Sequence, residues 1–203
     1  MKPFVVGITG ASGVVYAVRL VQVLAELNYP IELIISESGR LVIREELGKS
    51  LRSFNHSEDL TEIFGTSKFK VHSAKDFSAP VASGSYPTAG MIIIPCSMGT
   101  LGAIASGVSQ HLIHRAADCM LKEGRRLVIV PRETPLNAIH LENMLKLSKL
   151  GVRVVPAMPA FYSGAQNLNE VIDFMVGKVL DQFEIPHGLY PRWTGLTQPA
   201  KHE

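Results

Sequence analysis

Cysteine is scarce in this chain of 203 residues: only Cys96 and Cys119 occur, at no metal-ligand spacing. They read as reduced thiols of a cytosolic protein, and no His/Cys cluster offers a metal site. Long hydrophobic runs are absent too. None approaches the roughly 20 residues that cross a bilayer, and the N-terminus enters an apolar strand directly, so neither a membrane span nor a signal peptide is expected. Charge of one sign is also lacking. The net charge is +2 and no basic stripe appears, which argues against a nucleic-acid surface. There is no G-x-S-x-G elbow for a serine hydrolase, and no internal repeat, low-complexity tract or linker. With 46% hydrophobic residues, the chain suits one domain with a substantial core.

What the chain does have starts at Gly7-Ile8-Thr9-Gly10-Ala11-Ser12-Gly13, after the apolar strand Phe4–Ile8. A glycine turn leading into a helix near Gly13 presents unpaired N–H groups to an anion. The spacing G-x-x-G-x-x-G is not the dinucleotide fingerprint G-x-G-x-x-G, and the second strand, Ile31–Ile35, ends in Ser36 rather than an acid. A mononucleotide site is therefore expected. Two other readings stay open: a tight strand–helix turn without ligand, and, because Glu37 is near, a nicotinamide-dependent reductase.

Strands and helices alternate along the rest. Helices are expected over about Gly13–Leu27, Gly39–Leu47, Glu58–Phe64, Ser109–Lys122, Asn137–Leu150 and Asn169–Phe183, the last capped by Asn169. A short strand is expected at Phe69–His72. The unalternating apolar runs Met91–Ile94, Leu127–Val130 and Val152–Val155 suit parallel strands covered on both faces. Residues Gly48–Ser67 are polar and otherwise irregular, and Ser78–Thr88 forms an ordered loop. The pattern predicts an α/β doubly wound parallel sheet. It spans residues 1–185 as one domain, and the proline-bearing residues 186–203 form an extended C-terminal tail.

Ligands of such sheets gather outside the carboxyl ends of the strands. There the sequence places Thr9–Gly13, Ser36, Pro95–Thr100, Pro131–Pro135 and Pro156–Tyr162, a set that suits an anionic, partly aromatic ligand. Ser97 and Thr100 also read as plain helix caps, Arg132–Glu133 as a surface charge pair, Arg115 as a partner of Asp118, Tyr162 as a core aromatic and His140 as a packing residue.

Eight motifs occur in order: Thr9-Gly10-Ala11-Ser12-Gly13, Ala82-Ser83-Gly84-Ser85, Pro95-Cys96-Ser97-Met98-Gly99-Thr100-Leu101, Arg115-Ala116-Ala117-Asp118, Leu121-Lys122-Glu123, Pro131-Arg132-Glu133-Thr134-Pro135, His140-Leu141-Glu142-Asn143-Met144 and Pro159-Ala160-Phe161-Tyr162. From Gly7 to Trp193 the chain resembles the flavin prenyltransferases of the UbiX/Pad family. The resemblance implies a flavodoxin-like (Rossmann-like) fold, dodecamers, and a metal-independent transfer of a dimethylallyl group from dimethylallyl phosphate to N5 and C6 of reduced FMN. The product, prenylated FMN, would serve a UbiD-type decarboxylase, in quinone biosynthesis or aromatic-acid degradation. By position, Gly10, Ala11, Ser12, Ser36, Ser97, Met98, Gly99, Thr100 and Arg132 match FMN-binding residues, and Arg115 matches an arginine near the flavin. Ser83, Lys122, Glu133, Tyr162 and Lys178 match residues around the prenyl phosphate. Glu46 matches an acid that works with Ser12 near N5, and Trp193 an aromatic near the prenyl site. Lys178 departs from the arginine common at its position, keeping charge without the bidentate fork.

These residue types suit the chemistry. Lys122, Lys178 and the Tyr162 hydroxyl can neutralise charge on a departing phosphate, Glu133 can protonate it, and an aromatic wall with Trp193 can face an allyl cation. Two rivals share the expected fold, a flavin-dependent cysteine decarboxylase and a non-catalytic FMN carrier. The first is disfavoured because Ala82–Ser85 lacks the Asn of its motif. The second needs no second anion pocket.

Overall fold

The computed structural model describes residues 1–49, 57–193 and 195. Among these, the elements run β1 (Phe4–Ile8), α1 (Val14–Glu26), β2 (Ile31–Ile35), α2 (Glu37–Leu47), α3 (Ser57–Phe64), β3 (Lys70–Ser73), β4 (Gly90–Cys96), α4 (Met98–Ala105), α5 (Leu112–Lys122), β5 (Leu127–Pro131), α6 (Ala138–Lys149), β6 (Arg153–Val154) and α7 (Leu168–Asp181). The strands form one parallel sheet in the order β3-β2-β1-β4-β5-β6. The chain winds outward from β1 through β2 and β3, then restarts on the other side of β1 at β4. The crevice between β1 and β4 is thus the switch point at which such sheets bind ligands.

Every residue of β1, β2, β4 and β5 is buried, because helices cover both faces. One core lies under α1 and α7, with Leu20, Leu24, Val176 and Leu180 against Val6 and Ile92. The other lies under α4 and α5, with Leu101, Ile113 and Met120 against Val5 and Ile93. The expected doubly wound sheet is therefore present.

Several boundaries differ from expectation, each for a local reason. Helix α4 had only its cap at Ser97 expected and no bounds, since Gly99 and Gly102 dilute its apolar periodicity. Helix α7 is capped by Asn167, whose Oδ1 accepts from Glu170 N at 3.1 Å, and not by Asn169. Strand β6 keeps only two of the expected four residues, because it is an edge strand paired on one side alone. Ser36 caps α2, so this helix begins at Glu37 instead of Gly39. The loop Ser78–Thr88 contains a single helical turn at Pro80–Ala82. Residues 50–56 of the expected irregular stretch, and 194 and 196–203 of the expected tail, lie outside the described residues.

Candidate active site

The carboxyl edge of the sheet is cross-linked at the switch point. The hydroxyl of Thr9, at the end of β1, donates to Pro95 O in β4 at 2.8 Å and accepts from Ser97 N at 2.8 Å. Ser97 caps α4: its Oγ accepts from Thr100 N at 3.3 Å and donates to Thr100 Oγ1 at 3.1 Å. Ser36 caps α2 by accepting from Gly39 N at 3.0 Å. Of the two expected caps Ser97 is one, while Thr100 lies inside α4; Ser97 and Ser36 place two helix N-termini, each partly positive, on either side of the glycine turn. That turn needs its glycine: a Cβ on Gly10 would come within 2.5 Å of Ser38 Cβ. From β5, Arg132 Nε reaches back to Ser12 O at 3.2 Å. Gly10, Ala11, Ser12, Ser36, Ser97, Met98, Gly99, Thr100 and Arg132 thus share one rim.

The N-terminus of α1 is not open as expected. The Glu46 carboxylate, delivered by the last turn of α2, accepts from Gly13 N at 2.9 Å and 3.1 Å and from Val14 N at 2.9 Å. A helix N-terminus takes any carboxylate within reach, and here the chain supplies its own. The anion sites left on the rim are the starts of α2 and α4.

Arg132 and Glu133 do not pair. Arg132 turns to Ser12, and Glu133 Oε1 accepts from Thr134 N at 3.0 Å. Both line a cavity of about 290 Å³ whose other walls include Leu136, Met144, Ala157 and Met158. His140 is bound up in a capping box with Asn137 rather than packed or catalytic. Burial pushes the Cys96 thiol up to about 12, so this cysteine brings no nucleophile to the rim.

Ser83 and Lys122 do not reach that rim within one chain, whereas Arg115 lies in the first turn of α5, whose start bonds to Ala74 O beyond the carboxyl end of β3. Met91 N donates to Arg126 O at 3.0 Å and Met91 stands in register with Leu127, which puts the end of α5 at the amino edge of the sheet. Arg115, expected near the flavin and also read as a partner of Asp118, donates Nε to Ala82 O at 2.9 Å and Nη1 to Asp118 at 2.7 Å. Arg125 grips the same loop through Gly84 O at 2.5 Å and Tyr86 O at 2.7 Å, and Tyr86 OH donates to the buried Glu32 at 2.6 Å. A Cβ on Gly84 would run into Lys122 Nζ and Glu123 Oε1, so the lysine lies directly over the Ser83–Ser85 loop, paired with Glu123. The reason for the split is helix direction: α5 runs antiparallel to the strands, and its last turn lies one sheet length from their carboxyl ends.

A third group lies on α7. Tyr162 is not a core residue but 67% exposed, with its ring centroid 6.1 Å from Phe174 and 6.1 Å from Trp193. Lys178 Nζ stands 3.9 Å from Asp181 Oδ2. Residue-level reading missed Thr9 as the clip between strands and Ser38 as the neighbour of Gly10. The Ser36-Glu37-Ser38 run at a strand end was the available signal for the second.

The residues present fit FMN. Two capped helix starts and a guanidinium suit its phosphate, and the apolar cavity beside Arg132 suits a flat ring system.

Known proteins are similar to this chain over nearly its whole length. The model of the Flavoprotein family matches residues 1–180. The flavin prenyltransferase UbiX of Halalkalibacterium halodurans is 55% identical over 94% of this chain and 92% of its own. A crystal structure of AnUbiX (PadA1) in complex with FMN and dimethylallyl pyrophosphate superposes with a TM-score of 0.85 at 40% identity, covering 97% of this chain and 99% of that one. A dodecameric FMN-dependent UbiX-like decarboxylase from Escherichia coli gives 0.85 at 43%, covering 95% and 100%.

Proposed function

The chain belongs to the Flavoprotein family and is a flavin prenyltransferase of the UbiX kind; from that premise we propose that the β1–β4 rim holds reduced FMN while a prenyl phosphate is held by residues of two copies of the chain. One observation carries the reading. Ser36, Ser97 and Arg132 converge on Gly10–Ser12 at the switch point, next to an apolar cavity.

FMN, when bound and reduced, supplies the electron-rich nucleophile that accepts the dimethylallyl carbon. The starts of α2 and α4, with Ser36, Ser97, Gly99, Thr100 and Arg132, fix its phosphate. Ser12 relays a proton at the flavin edge, and Glu46 acts on it by pinning the turn through Gly13 and Val14. Lys122 and Lys178 neutralise the prenyl phosphate as its C–O bond breaks, the Ser83 and Tyr162 hydroxyls donate hydrogen bonds to it, and Arg115 serves the flavin. Glu133 gives that phosphate a proton. The rings of Tyr162 and Trp193 face the allyl group while it carries positive charge. Ordinary positioning and exclusion of water complete the second bond.

A second copy is proposed because Lys122, with Ser83 beneath it, lies at the amino-edge end of α5. Ile139, Leu141, Leu145 and Leu150 on or beside α6 are more than half exposed, an apolar face suited to contacts between copies. A dodecamer fits that face. We further propose a UbiD-type decarboxylase as recipient of the prenylated FMN and the cytoplasm as its place, in keeping with two free, buried cysteines.

The test is anaerobic incubation of the protein with reduced FMN and dimethylallyl monophosphate. Release of inorganic phosphate together with a shifted flavin spectrum is expected. Flavin binding without phosphate release overturns the reading.

A further inference from the structure

Helix α7 ends on Asp181, an acid at the negative end of the helix dipole. Its hydrogen-bond partners explain it, and they come from the tail. Arg192 donates Nη1 to Oδ2 at 2.8 Å, and its Nη2 lies 2.7 Å from Oδ1, a two-pronged grip. His187 Nε2 stands 3.1 Å from Oδ1, and Tyr190 OH donates to Oδ2. The His187 side chain is only 2% exposed. Burial works to raise the Asp181 carboxyl, and the hydrogen bonds from Arg192, Tyr190 and His187 outweigh it and hold the group well below the usual carboxylate range.

The tail also needs a gap in the helix. A Cβ on Gly177 would come within 2.6 Å of Tyr190 and 2.7 Å of His187. From Tyr190 a series of rings leads to the candidate site. Tyr190 lies 4.9 Å from Phe174, Phe174 6.1 Å from Tyr162, and Tyr162 6.1 Å from Trp193. Trp193 directly follows Arg192, the residue that the carboxylate grips, and Pro191 stiffens the link.

We infer that Asp181 is a positioning residue for prenyl transfer: by clasping His187, Tyr190 and Arg192 it straps the tail onto α7 and seats Trp193 on Tyr162. The inference rests on the proposal that Tyr162 and Trp193 face the prenyl substrate. The nearby Lys178 ammonium is held in the same place until a substrate phosphate draws it away.

Trp193 is the only tryptophan, so its fluorescence reports the strap directly. The full-length protein is compared with Asp181→Asn, which keeps shape and loses charge, and with Gly177→Ala. The second keeps the carboxylate and favours the helix but fills the gap. Both variants should red-shift the Trp193 emission and raise its quenching by acrylamide severalfold. KM for dimethylallyl monophosphate should rise about tenfold, with a smaller change in kcat and FMN Kd within about twofold. Unchanged emission in both variants overturns the strap. Shifted emission with unchanged KM overturns the positioning role. A wild-type protein that releases no phosphate overturns the prenyl-transfer reading, and with it the substrate side of this inference, while the emission still decides whether the strap exists.

Discussion

At the carboxyl edge of the sheet, the Thr9 hydroxyl donates to Pro95 O and accepts from Ser97 N, and Arg132 donates to Ser12 O, which locks the glycine turn in place. Toward the amino edge, Arg125 holds Gly84 O and Tyr86 O and Tyr86 OH donates to Glu32, and the side chains left over point outward. Ser83 is exposed and Lys122 is 45% exposed. The first edge turns its polar groups inward onto the glycine turn. The second leaves the Ser83 and Lys122 side chains turned outward. Among the described residues Lys122 is held by Glu123, and an exposed ion pair of this kind is weak, so the lysine can leave it for a phosphate.

The contrast is sharpest in catalysis. Lys122→Ala should slow phosphate release by about a hundred- to a thousandfold, as expected when one stabilising cation is lost, with FMN affinity unmoved in a flavin titration. Arg132→Ala should do the reverse in kind and weaken FMN binding about ten- to a hundredfold, the worth of one charge-assisted contact. Equal effects of both variants on FMN binding would erase the distinction between the edges.

Acid should loosen the α5 side first. His111 and His114 stack with ring centroids 3.7 Å apart at the start of α5, and His111 Nδ1 and His114 Nε2 lack partners among the described residues. Burial lowers both, His114 to about 4 with the His111 charge adding to burial. Their folded-state values lie below the unfolded one, so the unfolded chain takes up protons first. Stability is intact above about pH 6.5 and should fall as pH drops toward 4, by about 2 kcal/mol. Denaturant melts across this window should show the slope, and His114→Gln should flatten it. The smallest effect is expected from Thr9→Val, which removes both bonds of the strand clip and should cost about 1–2 kcal/mol in the same melts while leaving Lys122 chemistry unaltered.

Much of the fold was legible because buried parallel strands are continuous apolar runs: β1 and β2 lie where their runs lie. Helix α4 was legible only at its cap, since two glycines and an alanine-rich face hide its period. At the site, strand-end position pointed to Ser36, Ser97 and Arg132, because the rule linking ligands to carboxyl ends is topological. Family resemblance supplied Lys122 and Ser83 but no direction, and the antiparallel run of α5 moves them to the opposite edge. Glu46 was legible as a useful acid, but not as the cap of α1, since that contact joins residues 33 positions apart. The Asp181 clasp left no pattern because its four members have no periodic spacing.

A site shared between copies is tested most directly by mixing two impaired variants at an FMN concentration well below the Kd of Arg132→Ala, where neither parent turns over. Assemblies made from equal amounts of Arg132→Ala and Lys122→Ala chains should regain activity, up to about a quarter of the sites when each site draws one edge from each of two copies at random. Mixed assemblies as inactive as either parent would place both edges' contributions in one chain and contradict it.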